Sequence, residues 1–175
     1  MSIPKIVKTE KKILKIFDRK TVFVDWWERG GRLSDVVDVT WDVDKVRLKK
    51  AVLKGYVCSD SWFTWAEVWW NDRKVHYAHW YFEVCEKSFE RDITPLINNG
   101  SNWVTVNVGK DFWYPKSCLF IVNVMLECEF EILEEGGGYS VEKQPWWKKY
   151  WKYIAVATAV VGGCYGLAYA ASKAR

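Results

Sequence analysis

Short catalytic and metal-binding motifs are missing from this 175-residue sequence. It contains no GxSxG turn around a nucleophilic serine, no glycine-rich loop that would hold a phosphate, and no CxxC pair. The only histidines, His76 and His79, are three residues apart, so on a strand their side chains would point to opposite faces. We therefore expect no enzymatic activity, no bound metal ion and no cofactor.

The first 20 residues also lack an apolar run, because lysines interrupt them every few residues. This composition does not fit a signal peptide, so we expect the chain to be made on the cytoplasmic side. Residues 4–18 predict either a basic amphipathic helix or a strand-like arm that packs on the main domain. A basic helix would suit anionic lipid, which gives a peripheral lipid-binding protein, acting through residues 5–20, as one alternative function.

The five cysteines do not have zinc-site spacing. Cys164 lies in an apolar segment near the carboxyl terminus. Cys58, Cys85, Cys118 and Cys128 are predicted as buried thiols, with one or two disulfides as the alternative in an oxidising compartment. Their disulfide state stays open at this point.

The most informative feature is an uncharged stretch from Tyr153 to Ala171. Nineteen residues at helical rise span about 28 Å, close to the roughly 30 Å thickness of a bilayer's hydrocarbon core. The residues just before it are of types that suit the headgroup region: Trp146, Trp147, Lys148, Lys149, Trp151 and Lys152. The pattern predicts an interfacial belt and one transmembrane helix over 146–171, followed by a short basic tail over 172–175.

Small residues recur at four-residue spacing within the predicted helix. Gly162 and Gly166 lie on one stripe with Thr158 and Ala170, and Gly163 lies on a second stripe. Such stripes let two helix backbones approach closely. We therefore expect this helix to pack on another membrane helix, either from a different subunit or from a second copy of the chain.

The range 21–135 has a period of two in its apolar residues and is rich in β-branched and aromatic side chains. Segments with this pattern are 21–26, 36–43, 46–57, 63–70, 103–108 and 119–133. With no long amphipathic helix between them, they predict an all-β antiparallel sandwich. Three consecutive glycines, Gly136 to Gly138, predict a flexible linker over 136–145.

Three segments of the sandwich share a pattern with known proteins. Lys50–Val57 is a strand entering the core, Ala66–Val75 is a hairpin around Asn71-Asp72, and Phe89–Val108 is a turn followed by Gly-x-Asn and an alternating strand. They resemble the galactose-binding-domain-like family over roughly residues 45–133. The resemblance implies a jelly-roll topology and suggests carbohydrate binding. Independently, Asn-Asp can adopt the positive φ values of a tight hairpin.

Strand alternation places Trp65 and Trp69 on the outer face if Ala66, Val68 and Trp70 face the core. The two indole rings would then lie roughly 13 Å apart along one strand. Exposed tryptophans are enriched in protein interfaces, and their faces also stack on sugar rings. We predict that Trp65 and Trp69 contact a protein partner, with a glycan as the alternative.

These patterns predict a membrane-anchored, non-enzymatic structural or adaptor subunit of a larger assembly, such as a virion or a cell-surface complex. Its expected partners are a lipid bilayer and protein subunits, with a second copy of the chain or a glycan in addition. The net charge of +4 is concentrated at the two ends of the chain, so we expect no nucleic acid partner. A membrane-tethered carbohydrate-binding module is the main alternative. The expected location is a host membrane or a virion envelope.

Overall fold

The computed structural model describes residues 6–145 and Lys148. Two antiparallel sheets pack face to face around a single apolar core. In chain order the elements are β1 (Lys8–Val24), β2 (Gly30–Trp41), β3 (Val46–Ser59), β4 (Thr64–Trp70), β5 (Arg73–Trp80), β6 (Glu86–Asp92), a short 3-10 helix (Thr94–Leu96), β7 (Gly100–Lys110), β8 (Cys118–Ile132) and β9 (Tyr139–Lys143).

The order of the strands is that of a jelly roll. One sheet has the order β1-β8-β3-β6, and the other has the order β5-β4-β7-β2-β9. Strands 1 and 8, 2 and 7, 3 and 6, and 4 and 5 are hydrogen-bonded neighbours, as in a long hairpin folded over on itself. The predicted all-β antiparallel sandwich is therefore confirmed.

Alternation along the strands builds the core as the sequence predicts. Ala66, Val68 and Trp70 of β4 are fully buried, whereas Trp65 and Trp69 face outward and are half-buried. The largest buried side chains come from both sheets, and β8 contributes every second residue over most of its length. Since each strand alternates, one face of each sheet stays available for contacts.

The amphipathic helix considered for residues 4–18 is wrong, because Lys8–Val24 forms β1. Among the described residues, this strand lies at the edge of its sheet and pairs with β8 alone. Its register shifts on both sides of Phe17, and Arg19 has a φ of 47°. These bulges break the period of two, which is why the residues alone did not separate a strand from a helix.

The sandwich also continues into the range predicted as a linker. Tyr139–Lys143 forms β9, which pairs with the second half of β2, and Val141 is buried in the core. Gly136 has a φ of 83°, which suits the turn that precedes this strand. The glycines therefore serve a turn, and the range 136–145 is a turn and a strand.

The four cysteines of the sandwich are free thiols. Cys118 and Cys128 are buried, as predicted, whereas Cys58 and Cys85 are half-buried. Burial raises the pKa of the Cys128 thiol to about 12. That thiol therefore stays protonated at neutral pH and behaves as a small apolar side chain.

The predicted transmembrane helix, its packing glycines Gly162, Gly163 and Gly166, the basic tail and the interfacial belt other than Lys148 lie outside the described residues. Lys148 is exposed, and its backbone N–H donates to the Pro145 carbonyl over 3.0 Å. Within the described part of the chain, no helix has the length and apolar character needed to cross a membrane.

Candidate interaction surface

Four loops meet at one end of the sandwich, and each of them contains aromatic residues. They are residues 25–29, 60–63, 81–85 and 111–117, which follow β1, β3, β5 and β7; we call this set the aromatic end. Its nine aromatic residues are Trp26, Trp27, Trp62, Phe63, Tyr81, Phe82, Phe112, Trp113 and Tyr114. Seven of the nine side chains are between 48% and 82% exposed. Isolated exposed rings are ordinary on protein surfaces, but a group of this size at one end of a domain indicates a contact surface.

Phe63 joins three of these loops. Its ring centroid lies 4.2 Å from that of Trp113 and 5.1 Å from that of Phe82. Its carbonyl accepts a hydrogen bond from the Asp111 backbone N–H over 2.8 Å. Phe63 has a φ of 52°, an unfavourable conformation for a bulky residue. The surrounding contacts hold it there, and five rings of these three loops form one connected patch: Trp62, Phe63, Phe82, Trp113 and Tyr114.

Lys110 attaches the fourth loop, residues 25–29, to the same patch. Its side chain is 4% exposed, and its ammonium group donates to the carbonyls of Asp25, Trp26 and Lys116 over 2.8–3.0 Å. The Arg29 guanidinium lies 4.3 Å from the Phe112 ring centroid and donates to the Phe112 carbonyl. A buried cation satisfied only by backbone carbonyls fixes the shape of both loops.

Polar groups of the aromatic end are mostly bonded to one another. The Asp25 carboxylate accepts from the Trp26 backbone N–H over 2.7 Å and from the Ser117 hydroxyl over 3.1 Å. Asp111 pairs with His79 at 3.0 Å. A hydrogen bond from Lys87 lowers the pKa of Glu83. The rings are therefore the groups that remain available for an outside contact.

The opposite end of the sandwich has a different chemistry. Its connections, residues 42–45, 71–72, 93–99 and 133–138, contain no aromatic residue. They are held by amide networks, in which Asn102 bonds to Asn71 and Asn98. Asn71 and Asp72 both have positive φ, as predicted for the hairpin. The two ends of the molecule are therefore suited to different surroundings.

A groove lies on the outer face of the five-stranded sheet. Trp69 and Trp103 line it together with Arg32, Asp72, Thr105 and Asn107, and its volume is about 290 Å³. The indole N–H of Trp69 donates to Glu67 over 3.0 Å, which fixes the ring. Thr105 is hydrogen-bonded to Ser34 over 3.1 Å. The groove thus combines two aromatic walls with a polar floor.

The structure brings Trp69 together with Trp103 instead of with Trp65. The Trp65 ring packs against Gly109, where an added Cβ would come within 2.4 Å of the ring atom Cζ2. Its ring therefore covers backbone of the sheet and borders a second depression with Gly30 and Gly31. The roles that the sequence assigned to Trp65 and Trp69 stay predictions.

The two histidines lie on opposite faces of β5. His76 stacks on Phe89 at 4.7 Å between ring centroids, while His79 pairs with Asp111 outside. Burial lowers the pKa of His76, and the charge of Arg91 acts in the same direction. Among the described residues, no group of three or more His, Cys, Asp or Glu side chains could hold a metal ion.

Sequence reasoning missed the aromatic end, although a signal was present. Pairs or triplets of adjacent aromatic residues recur near turn residues between the predicted strands: Trp26-Trp27, Trp62-Phe63, Tyr81-Phe82 and Phe112-Trp113-Tyr114. Adjacent residues in a strand face opposite sides, so both members of a pair can be exposed only in a loop or at a strand end. Only the strand order shows that these loops share one end.

Comparisons with known proteins give distant structural matches. No family model and no curated protein matches the sequence. Three solved structures that match belong to infectious bursal disease virus. The structure of the Gx strain has 10% sequence identity and a TM-score of 0.48, and the match covers 90% of this chain and 49% of that chain. The T=1 particles have 10% identity and a TM-score of 0.42, with 93% of this chain and 50% of that chain covered, and a VP2 subviral particle has 9% identity and a TM-score of 0.41, with 90% and 50% covered. This chain spans about half the length of those chains. Scores this low carry no argument about function, and the resemblance to galactose-binding domains stays a prediction.

Proposed function

We propose that the chain is a non-enzymatic structural or adaptor subunit of a larger assembly, to which its sandwich attaches through the aromatic end. The observation that carries this proposal is the group of seven exposed aromatic side chains on interlocked loops. Aromatic residues dominate the binding energy of many interfaces, because each buries a large area with few rotatable bonds. Lys110 and the strained Phe63 hold the loops in one shape, which reduces the entropy lost on binding.

A membrane is the setting that we propose for this assembly. The uncharged stretch from Tyr153 to Ala171 is long enough to cross a bilayer, and tryptophans and lysines precede it. The chain would then be a single-pass protein of a host membrane or a virion envelope. Packing through Gly162, Gly163 and Gly166 would add contacts between membrane helices. Sequence composition alone supports this part of the proposal.

Oxidative footprinting of tryptophans tests whether the aromatic end is a contact surface. The full chain is oxidised within the intact membranes or particles that carry it, and each rate is normalised to that of the unfolded chain. We expect Trp26, Trp62 and Trp113 to react about five-fold more slowly than Trp103, because contact excludes water from interface cores. Trp103 is a matched control, since its 51% exposure is close to the 48–63% of the other three.

If the four tryptophans react at similar rates in the intact assembly, the aromatic end is free and the proposed function fails. If Trp103 is protected instead, the contact surface is the outer face of the five-stranded sheet and not the aromatic end.

A membrane-tethered carbohydrate-binding module is the second candidate, and the groove between Trp69 and Trp103 favours it. The full chain is applied in mild detergent to a glycan array. If this function is right, Trp69→Ala should lower binding by about ten-fold or more, because stacking on one ring contributes on the order of 1–2 kcal/mol and neighbouring hydrogen bonds depend on it. Trp62→Ala, at the aromatic end, is the control that should bind normally. Absence of binding to any glycan would remove this candidate.

The third candidate, a protein that binds anionic lipid through residues 5–20, loses its main support because the segment is an edge strand. Several of its lysines also face carboxylates of the same sandwich. Lys11 is paired with Glu127, and Lys15 is paired with Asp18 at 3.4 Å. Paired lysines attract anionic headgroups less strongly than a free basic face would.

A further inference from the structure

The exposed rings of the aromatic end are of the residue types that membrane proteins place at the bilayer interface. Four of the seven are tryptophan, one is tyrosine and two are phenylalanine. The indole N–H groups of Trp26, Trp27, Trp62 and Trp113 donate to no acceptor among the described residues. Such rings are most stable where the apolar face meets lipid and the N–H group meets water or headgroup oxygens, which is why tryptophan is enriched at that depth.

The last strand of the sandwich runs toward the aromatic end. β9 is antiparallel to β2, with Tyr139 opposite Trp41 and Lys143 opposite Val37. β2 itself begins at Gly30, directly after the first aromatic loop. The chain therefore leaves β9 in the direction of the aromatic end.

The uncharged stretch from Tyr153 to Ala171, for which we propose a bilayer, follows β9 in the sequence.

Charges at the aromatic end favour a neutral lipid surface. Each carboxylate of its loops has a partner inside the fold, and Lys110 is buried against carbonyls: the carboxylates are those of Asp25, Glu28, Asp60, Glu83 and Asp111. No cluster of exposed, unpaired lysines or arginines stands out among the described residues of these loops. The expected attraction comes from the rings and not from anionic headgroups.

We propose that the aromatic end inserts its rings into the interfacial region of a lipid bilayer. This inference rests on the proposed function and names what the contact surface touches. The strands of the sandwich would then run roughly perpendicular to the membrane plane. The inserted rings would hold the sandwich there, in addition to any anchor. A protein partner at the same surface is the competing occupant and is an outcome of the test.

Photocrosslinking of the full chain in phosphatidylcholine vesicles tests the proposal. The photoreactive residue p-benzoylphenylalanine replaces Phe82 or Phe112 at the aromatic end, or Val43 at the opposite end. All three positions are highly exposed, at 75%, 82% and 66%, so none of the changes disturbs the core. We expect mass spectrometry to find lipid adducts at positions 82 and 112 about ten-fold more often than at position 43, because only the first two would reach the acyl region.

Equal adduct yields at the three positions, or adducts to a second copy of the chain at 82 and 112 without lipid adducts, would overturn the bilayer proposal. The proposed function has its own readout in the footprinting experiment. If the tryptophans are protected in the assembly but lipid adducts are absent, the aromatic end contacts protein and the function stands. If neither occurs, both fail.

Discussion

Replacing Lys110 with methionine is expected to loosen the aromatic end and to lower the free energy of unfolding by about 3 kcal/mol. The side chain is 4% exposed, and three backbone carbonyls accept hydrogen bonds from its ammonium group. Methionine fills a similar volume but donates no hydrogen bond, so the Trp26 carbonyl would lose its donor. The Asp25 carbonyl would keep only the Glu28 backbone N–H, and the Lys116 carbonyl would keep only the weak Cys118 thiol donor. Relief of the buried charge offsets part of the loss, which keeps the expected effect moderate.

Thermal unfolding and hydrogen exchange measure this effect. We expect the midpoint temperature to fall by about 10 °C, and amide exchange to accelerate in residues 25–29 more than in the β3–β8 core. Lys116→Met is the matched control, because this lysine is exposed on a loop of the same end and offers Lys110 only its carbonyl. If Lys110→Met unfolds like Lys116→Met, the buried ammonium does not organise the loops.

Truncating the side chain of Asn102 is the second change that we expect to lower the free energy of unfolding strongly. The residue is completely buried, and its amide oxygen accepts from the Asn71 side chain and the Asn98 backbone N–H over 2.8–2.9 Å. Its amide nitrogen donates to the carbonyls of Asn98 and Gly100 over 2.9–3.0 Å. Asn102→Ala would remove all four hydrogen bonds, leaving the Asn71 amide nitrogen with only the Leu96 carbonyl, and should cost about 3 kcal/mol of unfolding free energy.

Asn107→Ala provides the control for this prediction. Asn107 lies on the same strand and faces the groove on the outer side of the sheet, so its loss should change stability by less than about 0.5 kcal/mol. Chemical denaturation of the two variants gives the comparison. Equal midpoints would mean that the loop 93–99 does not need the buried amide, contrary to the network described above.

The strands that sequence analysis predicted are those with one fully buried face. Segments 46–57, 63–70 and 119–133 fall within β3, β4 and β8, or overlap them almost completely, because burial of every second residue leaves a clear period of two. β6 was missed, since Phe89 is its only buried residue and both faces are otherwise polar. An edge strand carries little of the signal that identifies a central strand.

The contact surface was less predictable than the fold, for a topological reason. Trp62 and Phe112 are 50 residues apart in the sequence, and each lies in a connection with no pattern of its own. They share one end only because strands alternate between two sheets in the jelly-roll order. The predicted platform of Trp65 and Trp69 came from local alternation, which gives the face of a side chain correctly but not its neighbours across the sheet.

The lysine-rich edge strand β1 affects how closely neighbouring copies of the sandwich can pack without joining their sheets. An open strand edge is a template for joining sheets between molecules, and closely spaced copies would raise that risk. Lys8, Lys11, Lys12 and Lys15 lie along this edge and are all exposed. Stripping water from these ammonium groups, and from the carboxylates paired with three of them, is costly. This cost would keep neighbouring sandwiches from fusing into continuous sheets, even when many copies share a small area.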